Sequence, residues 1–151
     1  MAHWLMKSEP EEFSIDDLYR RPERTEHWDG VRNYQARNFM LDMKKGDLVF
    51  FYHSNCETPG IAGIAKVVRK AYPDHTAFDP EDAHFDPKSD PRDPRWMMVD
   101  VQYVKKLKRT ISLQELKDNP KLTGMALVRK GNRLSVMPVS DAEWAAVLAM
   151  E

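Results

Sequence analysis

With 151 residues, 42% of them apolar and 31% charged, the chain has the size and composition of one ordered globular domain, residues 1–151, and fits neither a disordered nor a fibrous class. A formal net charge of −1 excludes a protein that is basic throughout and grips long stretches of phosphate backbone, so any nucleic-acid binding is expected to be local. The lone Cys56 excludes an internal disulfide framework and points to a reducing compartment, read here as the cytosol. The opening residues carry no leader-like pattern, and no stretch reaches the roughly 18 apolar residues of a membrane span.

His3 to Met6 reads as a first strand, ended by Ser8-Glu9-Pro10 because proline cannot donate to a sheet ladder, which places Lys7 and Ser8 at a strand end. Ser14 with Asp17 reads as the N-cap of a helix of about two turns that Pro22 closes. Trp28-Asp29-Gly30-Val31-Arg32 reads as a loop. From Asn33 to Met43 there is no Gly or Pro, and Phe39, Met40 and Met43 recur at helical spacing, so a second helix is expected to end near Gly46. Asp47 to Ser54 is aromatic and β-branched on both faces, as a strand buried in a small barrel would be. Its end turns polar at His53, Ser54 and Asn55. After the turn Glu57-Thr58-Pro59-Gly60, residues Ile61 to Arg69 supply its hairpin partner, with Gly63 allowing a bulge or a close backbone approach.

Residues 73–94 hold five prolines and six aspartates, so no regular element is expected there, and a loop of that length in a compact domain is functional or mobile. In the next strand, Trp96 to Lys105, alternation sends Val99, Val101 and Tyr103 one way and Asp100 and Gln102 the other, so Asp100 faces solvent or a polar cavity. Ser112 with Glu115, and Ser140 with Glu143, form capping-box patterns for two further helices, the second running to about Met150, and Arg133 to Val139 offers a last strand.

Chemistry-bearing residues are sparse. His53 and Cys56 are close but lack metal spacing and a third orienting group, so neither a metal site nor a thiol nucleophile is expected, and no cofactor is implied. Phosphate-cradling glycine motifs are absent. The clusters Arg20/Arg21/Arg24 and Lys105/Lys106/Lys108/Arg109 read first as solvated faces. Trp28 is the most informative residue: an indole in a polar loop either closes over the core or stacks on a flat ligand such as a base.

Several long, ordered blocks converge. They are Trp4-Leu5-Met6-Lys7-Ser8-Glu9-Pro10, then Trp28 through Asn38, Phe51-Tyr52-His53-Ser54, Gly63-Ile64-Ala65, Asp86-Pro87-Lys88-Ser89, Pro94-Arg95-Trp96, Val99-Asp100-Val101, and Arg133-Leu134-Ser135-Val136 followed by Pro138-Val139. Through them nearly the whole chain resembles the EVE domain family. The resemblance implies an α/β (α+β), PUA-like fold, a small curved or closed β-barrel with surrounding helices, related to the YTH domains that read methylated adenine in RNA. It also implies a pocket for a modified base of DNA or RNA, modified cytosine or methylated adenine, single-stranded or flipped out of the stack.

Carried over by position, Trp28 would be a wall of the cage, and Lys7 and Ser8 would contact base or backbone. Tyr52, His53, Ser54 and Asp100 could supply edge polar groups, and Arg32 and Arg133 phosphate contacts, or surface ion pairs. A non-catalytic reader is the leading reading; an enzyme acting on a modified base or nucleotide ligand and a protein-interaction module are the alternatives.

Overall fold

The structure is a computed structural model that describes residues 2–151. Its strands are β1 (His3–Ser8), β2 (Thr25–Trp28), β3 (Leu48–His53), β4 (Gly60–Pro73), β5 (Met97–Ser112) and β6 (Val136–Val139). The α-helices are α1 (Ile15–Arg20), α2 (Tyr34–Asp42), α3 (Leu113–Asp118) and α4 (Asp141–Leu148). The strands form one sheet in the order β2-β5-β4-β3-β1-β6, with β1 and β3 parallel and the other neighbours antiparallel. The sheet is curved but not closed: β2 and β6 are its edges.

The curvature comes from the two long strands. β4 and β5 slip register repeatedly along their shared ladder, and each bulge adds twist. As a result the Trp28 ring on β2 lies 5.3 Å, edge to face, from Phe51 on β3. Three strand spacings on a flat sheet would put roughly 14 Å between those strands. Gly63 sits at one of the slips, where a Cβ would come within 2.6 Å of Ile15 and 2.9 Å of the Lys105 carbonyl, so α1 rests directly on backbone.

Alternation along the central strands sorts the core into two clusters. Trp4, Met6, Val49 and Phe51 point toward Ile15 and Leu18 of α1 and Ala36 and Met40 of α2. Leu5, Phe50 and Tyr52 point the other way, toward Leu116 of α3 and Trp144 and Val147 of α4, with Phe50 stacked 3.7 Å from Trp144. Each fully buried side chain of this size contributes about 1.5–3 kcal/mol, so neither face dominates. The capping boxes form as the sequence dictates: Ser14 with Asp17, Ser112 with Glu115, Ser140 with Glu143, while Asn33 caps α2 through the Ala36 amide.

Two expectations change. Trp28 is not in a loop; it ends a short edge strand that pairs with β5 opposite Val99. The proline- and aspartate-rich segment is ordered by its own carboxylates. Asp74, Asp79, Asp82, Asp86 and Asp90 each accept from the amide two residues ahead, at 2.8–3.0 Å, so each turn is closed by the residue that starts it. Residues His75–Phe78 add a turn of 3-10 helix.

Candidate ligand pocket

The C-terminal end of β1, the chain leading into α1, the β2 edge and the aspartate loop enclose a cavity of about 680 Å³. That lies within the usual roughly 300–1,000 Å³ of small-ligand sites. Its apolar wall is Trp28 and Phe13, both of which pack on Phe51 beneath. Trp28 is only 8% exposed, so it is at once a core residue and a surface of the cavity. Ser8 stands at the β1 end, and its hydroxyl donates to the Phe13 carbonyl at 2.6 Å, which leaves only oxygen lone pairs for a ligand.

Charge in the cavity is asymmetric. Glu9, Glu12, Glu26 and Asp29 line it against Arg21, because the amine of the other basic lining residue, Lys7, is turned away. Glu26 is held by Arg21 at 2.9 Å and by His27 Nδ1 at 2.9 Å, while His27 Nε2 lies 3.1 Å from Asp29. Arg21 also covers the Phe13 ring. Lys7 forms part of the wall, yet strand alternation carries its amine to the opposite face, 5.7 Å from the centre of the Tyr52 ring. Burial holds its pKa below the ordinary lysine value.

The loop side of the cavity, Ala83 and His84, is fixed by Arg32. All five N–H groups of this guanidinium are used: two donate to the His84 carbonyl, and one each to the Val31 carbonyl, Asp74 Oδ2 and Thr76 Oγ1, at 2.7–3.1 Å. Asp74 is fully buried; burial works to raise its pKa, but bonds from Thr76, Gly30 and Arg32 outweigh it and hold the carboxyl below its usual range. Gly30 has φ +79°, and a Cβ there would fall 2.7 Å from the His84 ring.

Of the residues singled out from sequence, Lys7, Ser8 and Trp28 come together at this cavity. The others do not line it. Tyr52 lies 3% exposed in the opposite cluster, where burial pushes its phenol up to about 12. His53 Nε2 accepts the Ile15 amide at 3.1 Å, serving as a cap for α1, and burial lowers its pKa. Ser54 donates its backbone amide to the Ser8 carbonyl and so fixes the β1 end from behind. Asp100 sits on the outer face opposite His27 and accepts from the Tyr72 hydroxyl. Arg32 is spent as described. Arg133 is exposed without an ion-pair partner among the described residues; it lies two residues before Ser135, whose carbonyl takes the Lys7 amide. Phe13, Glu26, His27 and His84 were missed. Only Phe13 carried a local signal, as an apolar residue just before a capping-box serine.

The EVE domain family model matches residues 2–150 of the chain. The chain belongs to the EVE family. Human thymocyte nuclear protein 1 is 50% identical over 99% of this chain and 74% of its own length. A crystal structure of a protein from Pseudomonas syringae superposes with a TM-score of 0.95 at 52% identity, covering 99% of both chains. The human THYN1 protein, crystallised in complex with 5-methylcytosine-containing DNA, superposes with a TM-score of 0.95 at 48% identity, over 99% of this EVE chain and 97% of its own. The name of the human, chicken and mouse relatives corrects the cytosolic expectation: it points to the nucleus. A lone thiol could not have separated the two, because nuclear thiols are kept reduced as well.

Proposed function

We propose that this protein is a non-catalytic reader that takes a modified nucleobase of DNA or RNA, 5-methylcytosine first, into the cavity beside Trp28, with the whole chain acting as one EVE unit. The observation that carries this is the human THYN1 relative in complex with 5-methylcytosine DNA at 48% identity. The chemistry of the cavity supports it. Trp28 and Phe13 offer a flat apolar surface to a ring and its methyl group. Ser8 Oγ can accept from an exocyclic amine because its own proton is committed to Phe13. Four carboxylates at the wall repel phosphate but admit a neutral base, so the base enters alone, flipped or already unstacked. The phosphates then remain outside, with the exposed Arg133 as a contact.

Within this reading Ser8 and Trp28 keep their base-pocket roles and Arg133 its phosphate role, while Lys7, whose amine faces Tyr52, joins Tyr52, His53, Ser54, Asp100 and Arg32 as a support. A catalytic reading is disfavoured because Nε2, the acceptor nitrogen of the neutral His53 ring, already receives the Ile15 amide and is not free to activate Cys56. The test is affinity for short single-stranded oligonucleotides carrying cytosine, 5-methylcytosine, 5-hydroxymethylcytosine or N6-methyladenine, at several salt concentrations. Wild type should prefer a modified base, and Ser8→Ala and Trp28→Phe should flatten that preference. Equal, salt-sensitive binding to every oligonucleotide would reduce the protein to a phosphate binder and end the proposal.

A further inference from the structure

Beside the cavity, where α1 meets β2, the surface carries an arginine stacked on a tyrosine, with a second tyrosine edge-on to the first. Arg24 lies 4.1 Å above the Tyr19 ring and 5.9 Å from the Tyr103 ring, donates to the Tyr19 hydroxyl at 3.2 Å, and Tyr19 meets Tyr103 edge-on at 5.1 Å. Tyr19 remains 48% exposed, and Arg24 is exposed as well. Unlike Arg20 and Arg21, which pair with Asp17 and Glu26, Arg24 has no carboxylate partner among the described residues.

The arrangement is held against local preference. Glu23 and Arg24 have φ of +55° and +53°, two successive side-chain-bearing residues in the left-handed region. The Glu23 carbonyl is fixed there by Thr25 Oγ1 at 3.0 Å and Gln102 Nε2 at 3.1 Å. Strain of this kind persists only where its surroundings over-determine it, and it concentrates at binding sites. A planar cation stacked on an aromatic ring, exposed and lacking a counter-ion, suits one chemistry best: the face of a nucleobase on an anionic strand. The patch adjoins the cavity along the chain: Arg21 and Glu26, on either side of this strained turn, both line it.

We infer that the Arg24/Tyr19 stack is a platform for the base next to the one held in the cavity, so that the protein grips one base by enclosure and its neighbour by stacking. This rests on the reader function proposed above, and it adds a preference for a purine, the larger stacking surface, at the flanking position.

The test is abasic scanning. Around one 5-methylcytosine, each of the two positions on either side is replaced in turn by an abasic spacer, and affinity is measured for wild type, Arg24→Lys and Arg24→Ala with Tyr19→Ala. In wild type one position should cost about 5- to 150-fold in affinity, the range for loss of one stacked base. In the double variant that penalty should vanish, while the ratio of 5-methylcytosine to cytosine affinity stays unchanged. Arg24→Lys, which keeps the charge and loses the plane, should behave like the double variant toward the spacer and like wild type in salt dependence. A penalty of equal size in all three proteins, or none in wild type, overturns the platform. Loss of the 5-methylcytosine preference in wild type instead overturns the pocket reading, and a patch that affects no oligonucleotide is left to a protein partner.

Discussion

Replacing Arg32 with alanine separates two roles that a sequence cannot distinguish, loop clamp and phosphate contact. The change strips Asp74 of its cation while leaving the carboxylate fully buried, with Gly30 and Thr76 still donating to it. Removing one partner of a buried pair costs about 3–5 kcal/mol, and the three remaining donors put this case at the low end, about 3 kcal/mol. For a chain of this length that corresponds to a fall in Tm of about 6–12 °C. Because the His84 carbonyl loses both of its guanidinium bonds, residues 79–93 should become cleavable by a protease at concentrations that leave wild type intact. Arg32→Lys keeps the charge but not the five-donor fork, and should lose about 1–2 kcal/mol while still freeing the loop. A free phosphate-binding arginine would behave in the opposite way: stability within about 0.5 kcal/mol of wild type and a shallower salt dependence of oligonucleotide binding. That result would refute the clamp.

Gly30→Ala should cost about 1–2 kcal/mol from the left-handed backbone alone, with a further penalty from the His84 ring that His84→Ala relieves. A double-mutant cycle by thermal unfolding measures that coupling. Trp28→Ala should destabilise by about 3–5 kcal/mol because the indole is core as well as wall, whereas Trp28→Phe should fold normally and lose base preference. His53 is kept neutral by burial, and its Nε2 must accept the Ile15 amide, so its folded pKa lies below the unfolded value of about 6.5. Its contribution is therefore complete above that pH and is lost as pH falls toward the lower folded value. Urea unfolding between pH 7.5 and 5 should show a steeper loss of stability in wild type than in His53→Gln.

The fold was largely legible because its signals are local. Three serine capping boxes, the Gly63 bulge and the proline stop after Ser8 each depend on a few neighbouring residues. What escaped depends on distant partners. β2 is a charged edge strand, Thr25-Glu26-His27-Trp28, with no alternation to announce it. The facing of Tyr52 could not be read, because β3 is apolar on both sides and gives parity no contrast. Four of the five Arg32 bonds reach acceptors 42 or more residues away, so its saturation is invisible in the sequence. The aspartates were read as disrupting regular structure, but Asp74 caps a 3-10 turn over His75–Phe78 and the two-residue turns of the others build a rim.

That rim has an evolutionary meaning. His84 is anchored through its backbone, its amide on Asp82 and its carbonyl on Arg32, while its imidazole, with Nδ1 3.4 Å from Asp82, meets the cavity. The anchors do not depend on which side chain residue 84 carries. This position can therefore vary between relatives and alter which base is accepted, with the scaffold that presents it left as it is.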